Sequence, residues 1–133
     1  MKFIDTNVFL RYFTADDPQK SKNSLELLKK IENGQEVVTT SSLVIFETIF
    51  TLEHSYKVPR SDIFQLLEPI LNLKGLSLEN KSTFIEALKI YSEETFSFAD
   101  AFNVAVMKKM NIKEIYSYDR DFDKIDGIKR IEP

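Results

Sequence analysis

Phe3-Ile4-Asp5-Thr6-Asn7-Val8-Phe9-Leu10 is the stretch that decides the fold. Apolar residues run into Asp5, and a second apolar run with helical spacing begins directly behind it, which predicts a short buried strand followed by a helix. Open α/β sheets place their chemistry at the carboxyl ends of strands, where Asp5 stands. Asp5 is equally suited to cap the helix, because Asp, Thr and Asn are all favoured N-caps. This stretch alone does not distinguish a site role from a capping role for Asp5.

The composition is that of a globular protein. Of the 133 residues, 43% are apolar and 29% are charged, and Gly and Pro number only 3 and 4, so we expect one domain over residues 1–133. The absence of Cys excludes a disulfide scaffold and a thiolate metal site. No apolar run approaches the roughly 20 residues of a membrane span, and the N-terminus lacks the pattern of a signal peptide. We therefore expect a cytoplasmic protein.

The net charge of −3 gives no general excess of basic residues for binding nucleic acid. If nucleic acid is the substrate, metal ions or a local basic patch must offset the acids. The predicted second helix carries four lysines that form either a solvated face or a nucleic-acid-binding face, namely Lys20, Lys22, Lys29 and Lys30.

Strands and helices are predicted to alternate along the chain. We expect strands at about 2–4, 37–39, 76–78, 115–117 and 128–131, and helices at about 7–13, 18–33, 43–54, 59–70, 80–94 and 98–110. Pro69 predicts a kink or an early end in the fourth helix. This alternation requires crossover connections, so the prediction is an α/β fold, a single-domain open parallel sheet with helices on both faces.

Glu47 stands out because its helix is apolar nearly all round, which predicts burial. At helical spacing it shares a face with Leu43, Phe50 and His54. A lone buried carboxylate is costly, and no Lys or Arg lies within one turn to pair with it. Glu47 is also too deep in the helix to cap it, so we expect a role in a site.

Two further acids stand at the ends of predicted elements. Asp100 follows Ser97 by three residues, which is either a capping box or a second site position. Asp119 follows a short strand, as Asp5 does, whereas Asp121 and Asp123 lie further into the loop, where solvated turn positions are the simpler interpretation.

Four acids therefore gather in one small α/β domain: Asp5, Glu47, Asp100 and Asp119. In one cleft these carboxylates would repel one another unless a cation offset them. Oxygen-only ligands favour Mg²⁺ or Mn²⁺, which activate water and stabilise charge on a phosphate.

The same residues resemble a known family. The opening Asp5–Val8 with Leu10–Tyr12, the embedded Glu47, the segment Ser97–Ala101 and the segment Ser117–Phe122 resemble the PIN-domain nucleases, and among them the VapC-type toxins of toxin–antitoxin pairs. The resemblance covers nearly the whole chain in order and spacing.

The resemblance implies a five-stranded parallel sheet of order 3-2-1-4-5 and a Mg²⁺- or Mn²⁺-dependent endoribonuclease. It also implies a homodimer and a small antitoxin protein whose tail enters the acidic groove. Carried onto this chain, Asp5 and Asp100 would be the principal metal ligands, and Glu47 and Asp119 would complete the sphere or orient water. Thr6 or Asn7 would line the same pocket, and Asp121 is the alternative to Asp119.

Other polar residues near these positions have two interpretations each. Arg11 either contacts a substrate phosphate or pairs with an acid of the chain. Arg120 and Lys124 are either substrate-binding or simply solvated, and Asn103 either supports the site or makes an ordinary hydrogen bond. His54, the only histidine, is expected at a structural or interface position rather than as a catalytic base.

Three other functions compete with a nuclease. A haloacid-dehalogenase-type phosphatase also opens with an aspartate after its first strand, but it needs a second aspartate where this chain has Asn7. A response-regulator receiver domain needs an aspartate after a middle strand and a lysine after a late one, and neither is well placed here. A non-catalytic PIN-like binding module would have no use for the complete acid set.

Overall fold

The computed structural model describes residues 1–133 and contains six α-helices and five short strands. The helices are α1 (Thr6–Phe13), α2 (Pro18–Glu32), α3 (Ser42–His54), α4 (Arg60–Leu71), α5 (Lys81–Glu93) and α6 (Phe98–Lys109). The strands are β1 (Lys2–Phe3), β2 (Val38–Thr39), β3 (Leu76–Ser77), β4 (Glu114–Tyr116) and β5 (Lys129–Ile131). The predicted alternation of strands and helices is confirmed.

All strand pairs are parallel, as the crossover connections require. β2 lies between β1 and β3, with Lys2 opposite Val38 and Val38 opposite Leu76. β4 pairs with β5, with Ile115 opposite Arg130. These pairs match the segments 3-2-1 and 4-5 of the expected order. No hydrogen bonds join β1 to β4, so the order 3-2-1-4-5 as one continuous sheet is not confirmed.

Side-chain caps fix the start of three helices. Asp17 accepts from the N–H of Lys20 at 3.0 Å, with Pro18 at the first helical position. Ser41 caps α3, and Ser97 caps α6. Each cap supplies an acceptor to an N–H that the helix itself leaves unpaired. Pro69 lies inside α4, which ends two residues later at Leu71.

The prediction that α3 is buried all round is wrong. One side of the helix does enter the core, through Val44, Ile45, Thr48, Ile49 and Leu52. On the opposite side Leu43 is 78% exposed and Phe50 is 65% exposed, and Glu47 and His54 are exposed with them. Sequence periodicity cannot distinguish a helix surrounded by core from one whose second apolar face is uncovered.

One other feature lies outside the sequence-based expectations. Residues Arg120–Lys124, which we expected to be loop, form a short 3-10 helix. In addition, no helix is long and apolar enough to cross a bilayer.

Gly75 is the backbone position with least room for a side chain. A Cβ atom there would lie 2.3 Å from the carbonyl oxygen of Glu36 and 2.8 Å from that of Ile31. The Gly75 N–H donates to that Ile31 carbonyl at 2.9 Å, and the Gly75 carbonyl accepts from Val38. The glycine therefore lets the chain before β3 pass against the end of α2.

We predict that Gly75→Ala lowers the free energy of unfolding by about 2–3 kcal/mol, because the clash is with backbone that cannot rotate away. Urea denaturation measures the loss. Lys74→Ala, at the exposed neighbouring position, is the control and should stay within about 0.5 kcal/mol of wild type. Equal stability of the two variants would contradict this account of the β2–β3 edge.

Candidate metal-dependent active site

Asp5 stands two residues after β1 ends at Phe3, at the N-cap position of α1. Its backbone is extended, with φ −98° and ψ 164°, but its side chain makes no capping hydrogen bond. The carboxylate is exposed and forms no ion pair with a basic side chain. The capping interpretation of Asp5 is therefore wrong. Thr6 and Asn7 lie inside the first turn of α1, so neither of them caps it.

Thr6 links the start of α1 to Glu47 on α3. The Thr6 side chain is buried, at 2% exposure, and its hydroxyl donates to Glu47 Oε2 at 2.9 Å. This bond spans 41 positions of sequence and brings the first two predicted site elements together. Because Glu47 is exposed, the cost of burying a charge no longer supports its site role. The site role of Glu47 is supported instead by its hydrogen bond with Thr6, the residue after Asp5.

Asp100 lies in the first turn of α6. Ser97 accepts a hydrogen bond from the Asp100 N–H at 3.1 Å, but the reciprocal bond of a capping box is not formed. The Asp100 carboxylate is half-buried and has no basic partner. Burial raises the pKa of Asp100 above its ordinary value, and the neighbouring charges of Asp119 and Asp121 raise it further. The two later acids are thus electrostatic neighbours of Asp100.

The loop after β4 sorts its three acids into different roles. Asp119 caps the 3-10 helix, accepting from the Asp121 N–H at 2.9 Å, and it has no basic partner. Asp121 pairs with Lys124 at 3.3 Å. Asp123 pairs with Arg130 at 3.0 Å, so it forms an ion pair rather than being a merely solvated turn residue. Asp119 alone keeps a carboxylate without a cation beside it.

A groove lies beside Glu47, the predicted site acid on α3. Its volume is about 490 Å³, and it lies between α3 and the start of α6. Glu47 lines it from α3, and Ser97, Phe98 and Ala99 line it from α6. The Phe46 ring packs at 5.2 Å on Phe98. Glu47 is therefore held beside the turn that carries Asp100.

Arg60 fixes the chain just before α6, a role that no sequence motif indicates. Its guanidinium donates to the carbonyls of Phe96 at 2.6 Å and Thr95 at 3.3 Å, and it stacks over the Tyr91 ring at 4.5 Å. A pair with Glu53 at 3.6 Å completes its contacts. These partners lie up to 36 positions away, so no local pattern could have indicated them.

The remaining predicted residues lie around the acids without contacting them through hydrogen bonds. Asn7, Asn103 and Arg120 are exposed and form no side-chain hydrogen bond or ion pair. Arg11 is half-buried and is not in an ion pair. His54 packs against the Phe50 ring, with centroids 4.1 Å apart, on the exposed face of α3.

The donor set fits a hard divalent cation. The four predicted acids offer only oxygen, and none is neutralised by Lys or Arg. Burial raises the pKa of Asp100, and the neighbouring charges of Asp119 and Asp121 add to that rise. As the side chains stand, no three acidic or histidine groups are clustered tightly enough to form a finished metal site.

The raised pKa of Asp100 has a definite effect on stability. A carboxyl group whose folded pKa lies above its unfolded value, about 3.9, holds its proton more tightly in the folded state. The free energy of unfolding therefore falls as pH rises from the unfolded toward the folded pKa. At neutral pH the ionised Asp100 destabilises the metal-free protein.

We predict that Asp100→Asn raises the free energy of unfolding at pH 7 in chelator and has little effect near pH 3, where Asp100 is protonated in both states. Urea denaturation at the two pH values measures the difference. Asp126→Asn, an exposed acid outside the site, is the matched control. The environment described for this carboxylate would be contradicted if Asp100→Asn lowered the free energy of unfolding at pH 7 relative to its effect at pH 3.

Comparison with known proteins identifies the family of this chain. The PIN domain family model matches residues 2–128. A protein of Aquifex aeolicus named VapC ribonuclease is 34% identical over 133 residues, covering 100% of this chain and 97% of that protein. Ribonuclease VapC13 of Mycobacterium tuberculosis is 27% identical and covers 98% of this chain and 99% of its own length.

A solved structure was also matched, that of Mycobacterium tuberculosis VapC20, described as a sarcin-ricin loop cleaving toxin. It is 23% identical, covers 100% of both chains and superposes with a TM-score of 0.43. The family model and the relative at 34% identity, each spanning nearly the whole chain, show that this chain belongs to the PIN domain family, in its VapC group.

Proposed function

We propose that this protein is a metal-dependent endoribonuclease, the toxin of a toxin–antitoxin pair, and that residues 1–133 act as one nuclease domain. The observation that carries the proposal is the set of carboxylates without basic partners at the starts of α1, α6 and the 3-10 helix and on α3. The names of the relatives support it, because two of them are ribonucleases named VapC.

The proposed roles follow from the surroundings of each carboxylate. Asp5 and Asp100 hold the cation, because both stand at helix starts with carboxylates that make no capping bond. Glu47 and Asp119 orient water or complete the sphere. Thr6 positions Glu47 by donating to one of its oxygens, which leaves the other free. Bound Mg²⁺ or Mn²⁺ would activate water and offset charge on the phosphate.

Asp119 is proposed as the fourth acid in preference to Asp121, because Lys124 already neutralises Asp121. Both acids lie near enough to Asp100 to raise its pKa, with Asp119 having the larger effect. Asn103, one helical turn after Asp100, and Asn7, near Asp5, are proposed to support the site through hydrogen bonds. Arg120 is exposed beside Asp119 and is proposed to contact the RNA backbone.

Two other functions are outcomes of the same experiment. A non-catalytic binding module would bind RNA or protein without cleavage under any metal. A magnesium-dependent phosphatase would release phosphate from small esters, although Asn7 stands where its second aspartate belongs. A small antitoxin protein is the proposed inhibitor, and its basic segment would suit the acidic site. The cytoplasm is the proposed compartment.

We predict cleavage of structured RNA in Mg²⁺ or Mn²⁺ and none in chelator. Asp5→Asn and Asp100→Asn should each lower the rate by at least about 100-fold, since loss of even a supporting group at a metal site costs 10- to 100-fold. Asp119→Asn should lose more activity than Asp121→Asn. Gel analysis of labelled RNA fragments measures the rates.

Asp126→Asn is the control for this series, because it removes one exposed carboxylate from outside the site. Wild-type cleavage by Asp5→Asn protein would overturn the proposal. Phosphate release from a small ester, without RNA cleavage, would favour the phosphatase instead.

The exposed face of α3 is the proposed surface for pairing two copies of the chain. Leu43 and Phe50 are 78% and 65% exposed, although apolar side chains of this size are usually covered. His54 lies on the same face, in contact with Phe50. The resemblance to VapC-type toxins implies a homodimer, and this face supplies uncovered apolar area for it.

We predict that Phe50→Glu converts a dimer to a monomer, because a charge replaces an apolar contact at the centre of the face. Light scattering after size-exclusion chromatography measures the mass. Met110→Glu, which changes an apolar residue that is 64% exposed elsewhere, should leave the mass of a dimer unchanged. A wild-type protein that is monomeric at high concentration would contradict the assignment.

A further inference from the structure

Arg11 is a half-buried cation without a partner in the fold. Of the four arginines, Arg60 donates to backbone carbonyls and Arg130 pairs with Asp123 and Glu132, whereas Arg120 is exposed. Arg11 makes neither a hydrogen bond nor an ion pair. A guanidinium has five donors, and those of Arg11 are available to an acceptor from outside the fold.

The acid that precedes α2 does not supply that acceptor. The Asp16 carboxylate accepts from the Tyr56 hydroxyl at 2.5 Å and forms no ion pair with Arg11. Asp17 caps α2 and lies 4.0 Å from Lys20. The intramolecular ion pair that the sequence offered as one interpretation of Arg11 is therefore absent.

Arg11 lines a polar pocket between α1 and α2. The pocket has a volume of about 300 Å³, and its six lining residues are Asn7, Val8, Arg11, Lys20, Asn23 and Ser24. No carboxylate is among them. This volume is at the small end of the range for ligand pockets, and only one of the lining side chains is apolar.

The free groups of this pocket are mainly hydrogen-bond donors. Asn23 accepts from Gln19 through its carbonyl oxygen at 3.0 Å, which leaves its amide N–H groups available. The ammonium group of Lys20 has only the long contact to Asp17, and the Lys20 side chain is 64% exposed. Two cations and an amide donor form a site for an anion, because no acid lines the pocket and only the 4.0 Å contact from Lys20 to Asp17 opposes them.

The position of the pocket indicates which anion it takes. Asn7 lines it and lies in the first turn of α1, two residues after Asp5, the N-cap of that helix. At 1.5 Å of rise per residue, Arg11 lies about 9 Å from Asp5 along the axis of α1. An RNA strand whose scissile phosphate lies at the acids would therefore carry a neighbouring phosphate toward Arg11. Phosphate contacts of this kind set the register of a strand without reading its bases.

We propose that the pocket between α1 and α2 binds a backbone phosphate of the RNA substrate, held by Arg11 and Lys20, next to the phosphate that is cleaved. This inference rests on the proposed ribonuclease function. It explains how a chain of net charge −3 with an acidic site holds a polyanion, because the local basic pocket offsets the repulsion.

The test is binding of a non-cleavable 2′-O-methyl RNA in chelator, measured by fluorescence anisotropy over a range of salt concentrations. Arg11→Ala should weaken binding about 10-fold or more, as expected for loss of charge-assisted hydrogen bonds. It should also reduce the slope of log affinity against log salt by about 0.7, the value for one phosphate contact on a single strand.

Lys20→Ala and Lys22→Ala form a matched pair on α2. Both remove one exposed lysine, but only Lys20 lines the pocket. Lys20→Ala should weaken RNA binding and lower the salt slope, and Lys22→Ala should change neither. Both positions are on the surface, so this comparison remains valid even if Arg11→Ala disturbs folding.

Because binding is measured without metal and without cleavage, a failure of the ribonuclease proposal is distinguishable from a failure of this one. Equal affinities for Lys20→Ala and Lys22→Ala would overturn the inference. A second result would also overturn the inference: NMR shows that inorganic phosphate binds at Arg11, while the affinity for RNA does not depend on Lys20. The pocket would then bind a free anion. If Lys20→Ala loses affinity for an acidic peptide but keeps its affinity for RNA, the inference is also overturned, and the pocket belongs to a protein partner.

Discussion

The hydrogen bond from Thr6 to Glu47 is the contact on which the arrangement of the site depends. Thr6 is buried, so its hydroxyl needs an acceptor, and the Glu47 carboxylate supplies one at 2.9 Å. A second buried threonine, Thr40, donates to the carbonyl of Ile4 at 2.9 Å. The two bonds hold the residues on either side of Asp5, one against α3 and one against the end of β2. Asp5 is thereby fixed at the sheet edge without using its own carboxylate.

The other half of the site requires a different kind of support, because its acids repel one another. Asp100 has a raised pKa owing to burial and to the neighbouring Asp119, so these charges oppose the fold in the absence of a cation. The turn before α6 is held instead by Arg60, which binds the carbonyls of Thr95 and Phe96. The Phe46–Phe98 contact adds apolar packing. Arg60 and the Phe46–Phe98 contact therefore stabilise the turn without neutralising the acids. The negative charge of the acids stays available to a ligand.

Local sequence patterns predicted most of the elements and the acids, because caps and periodicity act over a few residues. Asp5 lies between the first strand and the first helix as predicted, and Ser97 caps α6, which one interpretation of the Ser97–Asp100 spacing includes. The predictions fail where contacts between distant parts of the chain determine the burial or the partners of a residue. The burial of Glu47 was inferred from the composition of α3, but no neighbouring element covers that face. Arg60 could not be identified, because its partners are set by tertiary packing.

The sequence also left the role of Arg11 open, and the reason lies in the charge order of α1. An acid at the N-terminus of a helix and a base in its last turn both interact favourably with the helix dipole, so Asp5 and Arg11 could be explained by helix stability alone. That explanation needs only charge near the helix ends. Helix stability alone does not explain why the Asp5 side chain makes no capping hydrogen bond. It also does not explain why Arg11 lines a pocket that contains no acid. Helix stability therefore accounts for the signs of the two charges, and their lack of partners is what points to a bound cation at one end and a phosphate at the other.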